Sequence, residues 1–234
     1  MIQSRLSFRA AQKSNQGGFT LVELLVVIGI IAILAGVALG PITNGLKKAK
    51  QSSAMQSAHA LYLASFSYAN DHNQVYFDKN GGTAADVAIA LLAGGYVSDA
   101  TIFWISGAKS GSGATQYVGN APLTGLTQAN ISWDFLGNKG GGVDSTFGDY
   151  TPVLWNSVGG GGGTAVKDTA LNTDITLIPS PNDVFGTDGV AVAYKSGASK
   201  FAVSAYNGGS YTVTLVTAAN NINGITGSSV LSGQ

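Results

Sequence analysis

Gly17-Gly-Phe-Thr-Leu-Val-Glu-Leu-Leu-Val-Val-Ile-Gly-Ile-Ile-Ala-Ile-Leu-Ala-Gly-Val-Ala-Leu-Gly40 is the stretch on which the reading of this chain turns. The 21 residues 19–39 hold a single charge, Glu23, and Glu23 is the only glutamate among 234 residues. About 20 consecutive apolar residues are enough to cross the hydrocarbon core of a bilayer. A centrally placed carboxylate in such a span costs about 2.5–3.5 kcal/mol on insertion scales. Glu23 therefore needs a role that offsets this cost. Upstream, Arg5, Arg9 and Lys13 make a basic leader, which predicts an N-terminus that starts in the cytoplasm and a C-terminus outside. An ordinary secretory signal is cut after its apolar region. Here the small pair Gly17-Gly18 lies before it, so a cut at that pair keeps the apolar segment in the mature chain.

The six residues Gly18-Phe-Thr-Leu-Val-Glu23 resemble the processing site of type IV prepilins and type II secretion pseudopilins. The likeness is close over residues 18–50. It implies cleavage after Gly18 by a membrane prepilin peptidase and N-methylation of the new terminus, Phe19, by the same enzyme. Glu23 then falls at the fifth mature position, where that family carries its glutamate. A buried carboxylate needs a partner, and in a packed helical array Glu23 can pair with the terminal amine of a neighbouring subunit. Misregistered subunits would leave both charges unpaired, so the pair can set axial register. The alternative is a carboxylate that snorkels to the interface. The resemblance further implies other pilin or pseudopilin subunits in a homo-oligomeric filament, an inner-membrane assembly platform and the lipid bilayer as partners. It places the chain as a single-pass protein of a bacterial inner membrane with a periplasmic or extracytoplasmic head.

The expected fold class is α+β and pilin-like, a long N-terminal helix packed on a mainly antiparallel sheet. Its parts are a leader (1–18), a membrane and filament-core helix (19–40), an amphipathic continuation (41–72) and an α/β head (73–234). Gly36-x-x-x-Gly40 matches the small-residue spacing that lets helices approach closely. Gly40-Pro41 predicts a kink or melted turn, since proline removes a backbone hydrogen bond and restricts the residue before it. Lys47, Lys48 and Lys50 form a basic collar. Beyond it Met55, Ala58, Leu61, Tyr62, Ser65, Phe66 and Ala69 recur at three- and four-residue spacing as the packed stripe. The segment Asn70-Asp-His-Asn73 stops this helix. Thr83-x-x-Asp86 predicts a capped second helix over 83–93, buried along Val87, Ala90 and Leu91 and ended by Gly94-Gly95. Strands are expected over 101–105, 131–135, 151–155, 175–178, 190–194, 200–205 and 211–216, with 190–204 forming a hairpin. The glycine runs 140–142 and 159–163 read as flexible connections, and 218–234 as a polar tail with at most a short strand end.

Little in the chain carries chemistry. There is no cysteine, which excludes a disulfide framework and a thiol nucleophile. His59 and His72 lie 13 apart with no zinc spacing around them. No Gly-x-Ser-x-Gly elbow or phosphate loop is present. Without Arg5, Arg9 and Lys13, the twelve basic residues become nine against twelve acidic ones, a net charge of −3. This excludes a basic nucleic-acid binder. By resemblance to major pseudopilins a calcium ion is conceivable in a C-terminal loop, with Asp144 and Asp149 as oxygen donors, Asp134 nearby and Asp183 with Asp188 as a second cluster. Turn capping is the plainer role for these aspartates. Trp104, Trp133, Trp155, Tyr150, Phe201 and Tyr206 read as core aromatics. The sequence thus points to a structural subunit rather than an enzyme, with no cofactor required. The alternative is a membrane-anchored extracytoplasmic protein whose head binds a carbohydrate or a surface, and that alternative needs no Glu23.

Overall fold

The computed structural model describes residues 18–77, 83–107, 123–138, 147–158, 175–216 and 228–231. Helix α1 (Leu21–Asp71) is 51 residues long, roughly 77 Å at 1.5 Å per residue. The chain divides between Leu46 and Lys47 into two units.

In the first unit every described residue is exposed, including Val22, Ile28, Ile31, Leu34 and Leu39. A helix apolar all round, with nothing of its own chain over it, requires lipid or other helices as solvent. No melted turn interrupts it, because the helix runs on through Gly40 and Pro41. Pro41 has no N–H, so the Val37 carbonyl loses its helical donor. The Thr43 hydroxyl donates to the Gly40 carbonyl at 2.8 Å.

In the second unit the remainder of α1 buries Gln51, Ala54, Ala58, Leu61, Tyr62, Ser65 and Ala69, a stripe of the expected three- and four-residue spacing. Its edges differ from expectation. Met55 is half-buried and Phe66 is 45% exposed, while Ala54 and Ala64 are buried. At these edges alanine fits against the head where Met55 and Phe66 lean out, while Leu61 and Tyr62 fill the middle of the stripe. Helix α2 (Ala84–Ala93) opens on the predicted capping box, with Thr83 and Asp86 each accepting from the other's backbone amide. It buries Ala84, Val87, Ala88 and Leu91, whereas Ala90 is only half-buried. Gly94 caps its end and Gly95 follows at φ +73°.

The first expected strand is not one. Residues Ala100–Phe103 form a 3-10 turn. Asp99 takes the Thr101 amide on Oδ1 at 2.8 Å and the Thr101 hydroxyl on Oδ2 at 2.6 Å. A side chain that offers the backbone a local acceptor competes with a strand ladder, and here it wins.

The other strands form two sheets. The larger is antiparallel, in the order β5-β4-β2-β1-β8, from β1 (Trp133–Asn138), β2 (Pro152–Asn156), β4 (Gly189–Tyr194), β5 (Ser199–Val203) and β8 (Ser228–Leu231). The smaller has the order β3-β7-β6, from β3 (Ile175–Leu177), β7 (Ser210–Val216) and β6 (Ala205–Asn207). The strand expected over 200–205 is two strands. Ser204 sends its amide to the Asp188 carbonyl and its hydroxyl to the Thr187 carbonyl, and this step hands the chain from one sheet to the other. Strands β2 and β4 are buried at every position, as expected of central strands covered on both faces. On one face of β4 the Tyr194 hydroxyl donates to the Leu215 carbonyl of β7 at 3.1 Å. Trp133, Trp155, Phe103, Phe135, Leu61 and Leu91 are fully buried and make the core. Tyr150 and Tyr206, expected inside, are 67% and 68% exposed, while Trp104 and Phe201 are half-buried. The loops 140–142 and 159–163 lie outside the described residues, as does the tail except for β8.

Candidate functional site

The site lies at the start of α1. Gly18, Phe19 and Thr20 are extended and helix begins at Leu21. Phe19 is 80% exposed, and a Cβ added at Gly18 would meet nothing within 4 Å. The Gly18–Phe19 bond thus sits on open backbone, free of the helix. One residue on, Thr20 occupies the N-cap position. Its hydroxyl and its amide both donate to Glu23 Oε2, at 2.7 and 2.8 Å. The Glu23 amide donates back to the Thr20 hydroxyl oxygen at 3.2 Å. This reciprocal pattern is a capping box, and it satisfies amides that a helix start leaves open. Among the described residues Glu23 has no cationic partner, and Oε1 carries none of these bonds. In the isolated chain the carboxylate is therefore held in place by its own turn but not neutralised. Thr20 was missed as a partner of Glu23 although Thr-x-x-Glu before an apolar run is a sequence-level sign of such a cap.

The glycines behind this site have no intrachain reason to be small. A Cβ at Gly29, Gly36 or Gly40 would touch nothing. The helix bearing them is long and apolar enough to cross a membrane by length and composition.

The other singled-out residues lie elsewhere and do local work. Asp149 is exposed, and its carbonyl accepts from the Ser196 amide. Asp144 lies outside the described residues. Asp134 is buried and takes the Ser157 hydroxyl at 2.6 Å. Asp183 accepts from the Ser180 amide at 2.6 Å, and Asp188 pairs with Lys47. Among the described residues no group of three metal-ligating side chains converges. His59 and His72 each direct Nδ1 at a backbone carbonyl, of Gly197 at 3.1 Å and of Tyr68 at 2.8 Å. Nδ1 is the donor in both, because a carbonyl only accepts.

Residues 13–39 match the family described as "Prokaryotic N-terminal methylation motif". Over a longer stretch the chain is similar to the type IV major pilin protein PilA of Myxococcus xanthus (strain DK1622). The two are 28% identical over 165 residues, covering 70% of this chain and 68% of that pilin. It is also similar to the type II secretion system core protein G of Aeromonas hydrophila, at 34% identity over 93 residues, 37% of this chain and 65% of that protein. The chain thus spans about two thirds of the length of each relative. No solved structure gives a significant match. The methylation motif, the long apolar helix and the antiparallel sheets define a pilin-like α+β protein, a structural subunit of the pilus or pseudopilus kind. The apolar helix and the motif fit a membrane-anchored subunit.

Proposed function

We propose that the chain is cut between Gly18 and Phe19, methylated on the Phe19 amine by the same prepilin peptidase, and assembled through its apolar helix into a helical filament. Before assembly it sits in a bacterial inner membrane with its head on the far side from the cytoplasm. On an inner-membrane assembly platform, copies exchange lipid for one another. The fully exposed helix over residues 21–46 carries this reading, because apolar surface on that scale needs a cover. Gly36 and Gly40 give neighbouring helices room to approach. Glu23 then takes the amine of a neighbour, and the Gly40–Pro41 step, already one hydrogen bond short, is where the helix bends to fit. The chain is a substrate of the processing enzyme and not itself an enzyme, and the reading requires no cofactor.

Mass spectrometry of the mature N-terminus tests this. The expected product begins at Phe19 and is heavier than the plain peptide by one CH2, a methyl group having replaced a hydrogen. A chain retaining Met1, or one cut beyond Leu39, overturns the reading. Gly18→Ala should leave the leader attached.

A further inference from the structure

On the head, the outer side of α1 and the segment after α2 enclose a furrow of about 490 Å³, open along one side. Ala60, Leu63 and Ala64 of α1 form one wall, and Val97 and Ile102 face them. Leu63 is half exposed in it. Ala60 and Ala64, four apart, lie on one face of α1; Ala60 is exposed and its small side chain leaves room for close approach, while Ala64 is buried at the base of the wall. Asp99 stands at the rim, exposed. The Thr101 hydroxyl and amide hold the Asp99 carboxyl below the usual range, so the rim stays negative. An open furrow with an apolar floor suits an amphipathic helix, which inserts side chains spaced three and four apart.

The same chain carries a matching helix face. Ile42, Leu46 and Lys50 follow at four-residue spacing on α1 and so line one face. Ile42 and Leu46 are 56% and 62% exposed, and Lys50 is exposed with no ion-pair partner among the described residues. Two branched apolar side chains followed by a cation complement an apolar floor with a carboxylate at its rim.

We propose that this furrow receives residues 42–50 of a second copy, with Ile42 and Leu46 on Leu63, Val97 and Ile102 and with Lys50 against Asp99. The proposal rests on the filament reading above and adds the place where one head meets its neighbour's helix. Furrow and stripe are different patches of one chain, so the contact is heterologous. A heterologous contact that does not close on itself propagates into an open helical array. Each subunit then offers one furrow and fills one.

Because the chain has no cysteine, an engineered thiol reports without background. Copies carrying only Leu46→Cys are co-expressed with copies carrying only Ser98→Cys, a furrow residue exposed to solvent, and filaments are oxidised and run unreduced. The expected result is a cross-linked dimer that needs both variants and is several-fold weaker when Asp99→Asn is added. Asn keeps an oxygen for the Thr101 amide, so that loss would report the charge and not the turn. Filaments without a both-variant dimer overturn the furrow and leave the filament reading standing. Processed, folded subunits that form neither filaments nor dimers overturn both.

Discussion

The Tyr62 hydroxyl donates to the Lys195 carbonyl at 2.6 Å, joining residues 133 apart in sequence. Tyr62 belongs to α1, and Lys195 to the turn between β4 and β5. Around that carbonyl the turn is tied on two more sides. The Lys195 amide donates to the Thr151 carbonyl at 2.8 Å, and Lys195 Nζ donates to the Phe147 carbonyl. His59, one helical turn before Tyr62, reaches the Gly197 carbonyl. This hairpin turn thus takes two side-chain hydrogen bonds from one face of the helix, beside the packing of its buried stripe.

Tyr62→Phe removes the hydroxyl and leaves the ring, the Lys195 carbonyl and the hydroxyl of Tyr76, its other partner, behind. The expected loss is about 1 kcal/mol, the usual net worth of such a bond. Urea unfolding of the full chain in detergent micelles, followed by tryptophan fluorescence, should show a lower midpoint with an unchanged slope. An unaltered midpoint would mean that the turn is held without this bond.

Glu23 caps α1 and, on the proposed reading, also pairs with a neighbour's amine; Gln separates the two roles. A glutamine at this position can still accept from Thr20, so the cap of α1 survives, but it has no charge to offer a neighbour's amine. Glu23→Gln should therefore insert and be processed normally yet fail to assemble, with monomer accumulating in the membrane fraction. Thr20→Ala should do the reverse, weakening the cap by about 1 kcal/mol while filaments still form. Normal filament yield from Glu23→Gln would reduce Glu23 to a capping residue.

Gly189 opens β4 at φ +149°, and a Cβ there would lie 2.1 Å from the Ala202 carbonyl oxygen of β5. Gly189→Ala should destabilise the head by about 3 kcal/mol or more, since both the backbone conformation and the ladder must yield. Gly36→Ala meets no atom of its own chain, so its effect should appear in filament yield and leave head stability unchanged. Limited proteolysis of the two variants, side by side with filament counts, checks both halves.

Burial pushes the Tyr194 hydroxyl up to about 12 from an ordinary 10. Tyr76 is raised as well, by burial first and then by its hydrogen bond with Tyr62. Between pH 10 and 12 the unfolded chain releases protons that the folded chain keeps. Stability is therefore fully present below pH 10 and falls as pH rises toward 12. Tyr194→Phe should lower stability at neutral pH by losing the Leu215 bond, and should also flatten the alkaline decline. A pH series of thermal midpoints, read beside tyrosinate absorbance, tests the sign.

The legible part of this molecule was the part whose information is local. Thr83-x-x-Asp86 specifies the start of α2 within four residues, and the Val-Ala-Val-Ala-Tyr run of β4 announces a buried strand by composition. What was hidden depended on competition or on distance. At Asp99 a strand-like run lost to a side-chain acceptor two residues before its amide. At Ser204 two hydrogen bonds to residues 187 and 188, far back in the chain, split one expected strand between two sheets. Tyr206 reads as a core aromatic by its neighbours in sequence, but it pairs with Tyr211 at a hairpin end, past the edge of the core. Gly18, Phe19 and Glu23 stood out by pattern, whereas Thr20 needed the cap and the carboxylate to be considered together.

The Thr20–Glu23 contact has a consequence for traffic in the opposite direction. If Glu23 takes a neighbour's amine as proposed, a subunit leaving the filament would surrender that amine and re-enter lipid with its acid. Because Thr20 sits on the same turn, a replacement donor pair is already at hand and no other molecule has to supply it. On the proposed reading, a threonine one residue behind the new end would lower the penalty of withdrawal, and no second molecule would be needed to hold the acid during it.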